Sequence, residues 1–256
     1  MKVINKENSQ ELLSNSKFYK QGVLDLSSLE QLTKIEAFAF AAQLKQKIFK
    51  VILPKNLEEI EFSAFMSNDI SEVVFNSNLK KIGTSAFESN KISQLNLNSK
   101  ISVIENSAFG FNKIKNLVIK ENITEIEEDA FISNEIETIT FENPYIELYS
   151  NPFWENKNIT TLIFKNTKNL VFLNQKETTF KTIELNHKDF KNNTHTVEFE
   201  FFNLNYLFGF KEFSNVQKIV FESEDGENEE LKINFDNSTL DSASFESDVE
   251  IEKIVL

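Results

Sequence analysis

A phenylalanine recurs at a fixed interval through the middle of this chain. Phe65, Phe87, Phe109, Phe131 and Phe153 follow one another at 22-residue steps, an isoleucine or leucine lies five residues before each, and a short apolar triplet follows. A period of this length is typical of a solenoid, in which each repeat buries its apolar face against the next. The sequence therefore predicts an elongated stack of coils.

The apolar triplet that ends each repeat predicts one short β-strand per coil. The triplets contain the β-branched and aromatic residues that suit strands. Stacked in register, such strands form a parallel sheet with a spacing of about 4.8 Å. The triplets are Val73-Val74-Phe75, Leu95-Asn96-Leu97, Leu117-Val118-Ile119, Ile139-Thr140-Phe141 and Leu162-Ile163-Phe164.

The period divides the chain into three segments. Residues 1–31 predict an N-terminal cap and first strand, in which Asn8 and Glu11 form a capping box and Gly22 stops the helix. Residues 32–164 contain six regular repeats. Residues 165–256 are interpreted as degenerate β-rich repeats with a C-terminal cap, since the closing motif returns there at irregular intervals. A separate β-rich domain from about residue 166 is the alternative.

Two side chains of each repeat are expected to form rows along the stack. The alanine-phenylalanine pair sets a small residue beside a large one, so that the rings form a buried row. An asparagine follows three residues after the phenylalanine, at Asn68, Asn90, Asn112 and Asn134. These amides predict a ladder of hydrogen bonds to the backbone of neighbouring coils, and a surface turn without a ladder is the alternative.

The repeat resembles the BspA-like class of leucine-rich repeats. In one copy the matching positions are Leu79, Ile82, Ala86, Phe87, Asn90, Leu95 and Leu97. The resemblance covers residues 32–164, although the unit is one residue shorter after the asparagine and the strand-ending proline occurs once, at Pro54. It implies a leucine-rich-repeat solenoid that acts as a non-enzymatic protein-binding scaffold or adhesin, of the bacterial or protist surface type.

Composition limits the partners and the compartment. The formal net charge of −13 disfavours nucleic acid and anionic membranes as partners. The chain has no cysteine and no apolar run of signal-peptide or membrane-spanning length, so no membrane insertion is expected. The resemblance implies a cell-surface or secreted protein, whereas the chain as given, if complete, predicts a cytoplasmic adaptor.

Few residues suit catalysis or metal binding, and we expect no enzyme activity and no cofactor. The nucleophile-elbow, phosphate-loop and dinucleotide-binding motifs are all missing from the sequence. The histidines are His187 and His195, whose spacing matches no common metal-ligand pattern even with Asp189. The acidic run from Glu222 to Glu230 lacks the carboxylates of a calcium loop at the required positions. A metal-dependent module in residues 166–240 is a less favoured alternative.

The predicted strand face offers a protein-binding surface. If the first and third residues of each triplet point inward, the middle residue points outward. The outward column then contains Ile52, Val74, Asn96, Val118, Thr140 and Ile163. An aliphatic stripe flanked by charged residues is typical of a surface that binds another protein, here a protein ligand of unknown identity. The alternative is that β-branched residues occupy these positions because they suit exposed strands. Oligomeric state is left open.

Overall fold

Each repeat forms one coil of a β-solenoid of about five turns, with parallel strands and a repeat of about 22 residues. The structure is a computed structural model that describes residues 1–42, 46–97, 100–143 and 145–165, together with five later strands within residues 169–235. The predicted fold class is therefore confirmed.

Four of the five closing triplets lie in the first sheet, which is divided into two parts. The N-terminal part has the order β2-β3-β5-β7 and the C-terminal part has the order β10-β12-β14-β18-β17. The strands are β2 (Tyr19–Lys20), β3 (Val23–Asp25), β5 (Lys50–Ile52), β7 (Glu72–Val74), β10 (Asn116–Ile119), β12 (Thr138–Phe141), β14 (Thr161–Lys165), β17 (Thr194–Glu198) and β18 (Lys218–Glu222).

A second, mostly two-residue strand per coil was not predicted. Five of these strands end at the isoleucine that lies five residues before the phenylalanine, and the strands of this second sheet also form two parts, ordered β1-β4-β6-β8 and β9-β11-β13-β15-β16-β19. The strands are β1 (Val3–Ile4), β4 (Lys34–Ile35), β6 (Glu59–Ile60), β8 (Lys81–Ile82), β9 (Val103–Ile104), β11 (Glu125–Ile126), β13 (Tyr145–Tyr149), β15 (Asn169–Leu173), β16 (Lys181–Asn186) and β19 (Lys232–Phe235).

One predicted strand is missing. Residues 95–97 repeat the triplet pattern, but they form no strand, and only an isolated bridge between Gln94 and Asn116 is found there. The inward side chains Leu95 and Leu97 are still buried. Burial of the triplet was therefore predicted correctly, whereas its pairing with the neighbouring coils was not.

The N-terminal cap contains the helix α1 (Lys6–Ser14), whose capping residue is Asn5 rather than Asn8. The Asn5 side chain accepts hydrogen bonds from the N–H groups of Glu7 and Asn8, and the Asn8 side chain accepts one from the N–H of Asn5. Asparagine can fill either role in such a box, so the predicted register was wrong by three residues. Gly22 is also not the helix stop: it lies between β2 and β3 with a φ of +82°.

The predicted row of phenylalanine rings is confirmed. Neighbouring ring centroids from Phe40 to Phe153 are 5.1 to 6.1 Å apart, and each pair of ring planes is within 12° of parallel. Every ring in this row is fully buried. Isoleucine and leucine side chains of both sheets complete the core around it.

The predicted asparagine ladder is also confirmed. The Asn90 amide nitrogen donates to the backbone oxygen of Phe65 in the preceding coil at 2.9 Å and to that of Phe87 in its own coil at 3.1 Å. Its side-chain oxygen accepts the N–H of Ile70 at 3.0 Å. Asn112, Asn134 and Asn156 repeat this pattern one coil further on each time. Each amide thus satisfies buried backbone groups of two coils.

Beyond residue 165 the structure describes only strands. Strand β18 pairs in parallel with β14, so that Ile219 lies opposite Leu162. Strand β16, which contains Ile183 and Leu185 of the closing motif at 180–185, instead pairs antiparallel with β15 in the second sheet. The closing motif at 251–256 lies outside the described residues. The assignment of residues 165–256 as repeats and cap stays a prediction.

Candidate protein-binding face

The strand face is the side of the first sheet that carries the six predicted binding residues. Strand pairing places Ile52 opposite Val74, and it places Thr140 between Val118 and Ile163. Asn96 lies between these two groups, in the coil that has no strand in the first sheet. The structure therefore gathers five of the six residues into two aliphatic rows that are separated at Asn96.

The six residues differ in exposure. Val74 is 42% exposed and Asn96 is exposed, while Ile52, Val118 and Ile163 are half-buried. Thr140 is only 9% exposed. Its neighbours on the adjacent strands are Val118 and Ile163. The accessible stripe therefore consists mainly of the four aliphatic residues.

The alternating residues of the same strands fix the position of this face. Val51 and Leu53 flank Ile52, and Leu117 and Ile119 flank Val118; all four are at most 5% exposed. Because successive strand residues point to opposite sides of a sheet, burial of these neighbours directs the middle residue outward. The face thus rests on the core.

The charged residues beside the stripe are paired with each other. The Lys50 ammonium lies 2.6 Å from a Glu72 carboxylate oxygen, and the Lys120 ammonium lies 2.9 Å from one of Glu142. Both pairs join residues one repeat apart on adjacent coils. Exposed pairs of this kind contribute at most about 1 kcal/mol each. Each pair joins one positive and one negative side chain, so these pairs add no net charge beside the stripe, although the whole chain is strongly acidic.

Three carboxylates lie close together on the second sheet. Glu125 lies opposite Glu147 in the strand pairing, and Glu127 follows on the same strand edge. Partial burial raises the pKa of the Glu125 carboxyl, and the charges of Glu127 and Glu147 raise it further. Among the described residues, however, no three histidine, cysteine, aspartate or glutamate side chains form a group that could hold a metal ion.

The other candidate metal residues lie mainly outside the part of the chain that the structure describes. His187, Asp189 and most of the acidic run from Glu222 to Glu230 lie outside the described residues, and of His195 only its backbone position in β17 is described. In the part of the chain that the structure describes, no helix has the length and apolar character needed to cross a membrane.

Four exposed aromatic residues on the turns were not singled out by the sequence. Phe38, Phe62, Phe111 and Trp154 are 42 to 50% exposed, and the rings of Phe38 and Phe62 meet edge to face at 5.1 Å. Phe38 and Phe111 have positive φ values, at positions where most other coils have a serine with positive φ. The phenylalanine at a position that is usually serine is the sequence signal that could have identified Phe38 and Phe111.

The two-stranded coils, the buried ring row and the asparagine ladder define the class of this protein as a leucine-rich-repeat solenoid. A family model described as "BspA type Leucine rich repeat region" matches residues 33–160 in six copies. This match spans half of the chain, so the chain belongs to the BspA-type leucine-rich repeat family. The resemblance inferred from the repeat is therefore confirmed. A search of curated proteins finds no match to the chain.

Proposed function

We propose that this chain is a non-enzymatic scaffold that binds another protein through the strand face, and that it acts as an adhesin. The observation that carries the proposal is the aliphatic stripe Ile52, Val74, Val118 and Ile163, which remains partly exposed on an ordered sheet. Apolar side chains that are aligned on a rigid surface gain free energy when a partner covers them.

A protein partner fits this surface better than a small molecule does. The stripe follows the sheet across several coils, and its flanking charges already neutralise each other. A partner therefore needs an extended apolar surface rather than one complementary charge, and protein surfaces offer this. Membership of a family of generally non-enzymatic repeat scaffolds supports the same proposal. The adhesin role rests on the resemblance to surface-exposed members of that class.

The test compares two double variants of the tagged full chain. In the face variant, Val74 and Val118 are both replaced by lysine, which sets charges into the proposed contact. In the control variant, Phe62 and Phe111 are replaced by lysine; both are exposed apolar residues that lie on turns, away from the strand face. Proteins retained by each variant from extracts and from intact-cell surfaces are quantified, and the melting temperature of each variant is measured.

The expected result is that the face variant retains its specific partners at least about tenfold less than wild type, while the control variant retains them. The face variant should keep the wild-type melting temperature, because the replaced side chains are not core residues. If the face variant retained as much of the specific partners as the control variant does, the strand face would not be the binding site. A lowered melting temperature of the face variant would instead favour the alternative that these residues serve strand stability.

A further inference from the structure

The exposed aromatic residues of the turns form two patches along one edge of the solenoid. We number the coils 1 to 6 by their buried rings, from Phe40 to Phe153, and we call the row of turns that contains these rings the turn edge. The first patch joins coils 1 and 2. The exposed rings of Phe38 and Phe62 meet at 5.1 Å, and the half-buried Met66 lies in the same turn as Phe62. Apolar side chains therefore cover the turns of two neighbouring coils.

The second patch extends over coils 4 to 6. The backbone N–H of Phe111 donates to the oxygen of Ile132 at 2.7 Å, and the N–H of Ser133 donates to the oxygen of Trp154 at 2.8 Å. These bonds place Phe111, Ile132 and Trp154 in successive turns of the same edge. Phe111 is 48% exposed and Trp154 is 50% exposed, while Ile132, whose coil lies between theirs, is half-buried.

Coil 3, which lies between the two patches, has polar side chains at the corresponding positions. Thr84 takes the place of Phe62, Glu88 that of Trp154, and Ser89 that of Phe111. The turn edge thus has an apolar patch toward each end and a polar coil between them. If two copies of this edge are placed antiparallel, each patch is covered by the other patch of the second copy, with coil 1 over coil 6 and coil 2 over coil 5.

The distribution of charge favours an antiparallel over a parallel pair. Residues 1–92 contain 12 lysines and 11 acidic residues, whereas residues 93–165 contain 6 lysines and 11 acidic residues. In coil 5, Glu127, Glu128 and Asp129 follow one another directly before the buried ring, and partial burial together with the charge of Glu128 raises the pKa of the Asp129 carboxyl. A parallel pair would set these carboxylates against their own copies, which costs free energy. An antiparallel pair sets them against the nearly neutral N-terminal coils.

We propose that two copies of this chain associate antiparallel through the turn edge as a two-fold symmetric dimer. The four exposed rings, each of about 150–250 Å² and about half exposed, offer about 300–500 Å² of apolar surface per copy. A standard specific interface buries about 800 Å² per partner, so Met66, Ile132 and the neighbouring turn residues supply the remaining contact. We therefore expect a weak dimer with a dissociation constant of about 1–100 μM.

The dimer leaves both strand faces uncovered. The strand face lies on the first sheet, whereas the contact between the copies is made by the turns. Where the proposed function holds, the dimer therefore presents two strand faces, and a partner with repeated binding sites is bound more tightly by both together than by one. Dimer formation itself does not depend on that function.

The single tryptophan, Trp154, reports directly on the proposed contact. The full chain is studied without any partner by sedimentation velocity from about 1 μM to about 500 μM, and its tryptophan emission is recorded over the same range. We expect the dimer to form as the concentration rises, and the emission to shift to shorter wavelength as the ring is covered. A monomer over the whole range, or a dimer that forms without a change in emission, would overturn the proposal.

The two double variants of the binding test exchange roles in this experiment. Replacement of Phe62 and Phe111 by lysine should weaken dimer formation at least about tenfold, whereas replacement of Val74 and Val118 by lysine should leave it at the wild-type level. A dimer that is weakened equally in both variants, or in neither, would contradict contact through the turn edge. Since no partner protein is present, failure here leaves the proposed binding function standing.

Disulfide cross-linking tests the orientation, because the chain has no cysteine of its own. Ser67 in coil 2 and Ser133 in coil 5 occupy the position that Phe111 has in coil 4, and all three have positive φ values. The variants Ser67→Cys and Ser133→Cys are oxidised with copper–phenanthroline, each alone and as an equimolar mixture.

The antiparallel pair sets coil 2 of one copy over coil 5 of the other. The mixture should therefore give at least about fivefold more cross-linked dimer than either variant alone, since a disulfide forms only between residues that lie close together. Equal cross-linking of each variant alone would indicate a parallel pair and would overturn the proposal. The same conclusion would follow if none of the three samples gave a cross-linked dimer.

Discussion

Replacement of a single ring in the middle of the buried row tests how far the row stabilises the fold. Phe109 is fully buried, and its ring lies 5.7 Å from that of Phe87 and 5.9 Å from that of Phe131. A phenylalanine buries about 150–250 Å², which at about 25 cal/mol per Å² corresponds to about 4–6 kcal/mol as an upper bound. Since alanine recovers part of this area, we expect Phe109→Ala to cost about 3–5 kcal/mol.

Phe111 offers a matched control two residues away. Its side chain is 48% exposed, so Phe111→Ala removes much less buried area and leaves no enclosed cavity. We expect it to cost less than about 1.5 kcal/mol. Urea unfolding monitored by circular dichroism measures both variants against wild type. If Phe109→Ala unfolded at the wild-type midpoint, or if both variants cost the same, the argument for a stabilising ring row would be refuted.

Three further changes probe other contacts. Asn112→Ala leaves backbone groups of two coils without their hydrogen-bond partner. It should therefore lower the free energy of unfolding, measured by urea titration, by about 2–5 kcal/mol. The control Asn158→Ala, at an exposed asparagine, should change this free energy little. Gly83→Ala would place a Cβ 2.9 Å from the backbone of Glu61 and Phe62 and should cost about 1–3 kcal/mol. Gly110→Ala should cost less, because its Cβ would meet the Cγ2 methyl of the half-buried Ile132, and a side chain can shift more readily than the backbone. Equal midpoints for the two glycine variants would contradict this prediction. The pKa of the Glu125 carboxyl is raised in the folded state, so the folded chain binds the carboxyl proton more tightly than the unfolded chain does. Stability is therefore lost as the pH rises from the usual carboxyl pKa through the raised pKa. Glu125→Gln should therefore raise the melting temperature at pH 7 and leave it unchanged near pH 3, unlike the exposed control Glu30→Gln.

The sequence predicted the features that depend on the repeat itself. The phenylalanine recurs in every regular coil and the asparagine in every regular coil after the first, and a residue that recurs at the coil period must lie above its own copies. The outward direction of Val74 and Val118 followed from alternation along a strand. These predictions needed no knowledge of the contacts between particular coils.

The features that were missed depend on local differences between neighbouring coils. The triplet Leu95-Asn96-Leu97 matches its counterparts in pattern, yet it does not pair, because pairing requires hydrogen-bond geometry that the pattern does not encode. Thr140 is less exposed than its neighbours Val118 and Ile163, a difference that alternation along a strand does not predict. The capping residue was misplaced because Asn5 and Asn8 are chemically equivalent candidates.

The central claim is that one phenylalanine per coil stacks into a single buried row that supports the strand face. A crystal structure of the full chain tests this claim most directly, through the positions of the rings of Phe65, Phe87, Phe109, Phe131 and Phe153. The account predicts consecutive centroids about 5–6 Å apart with nearly parallel rings. Rings that lie in separate layers, or that face solvent, would contradict it.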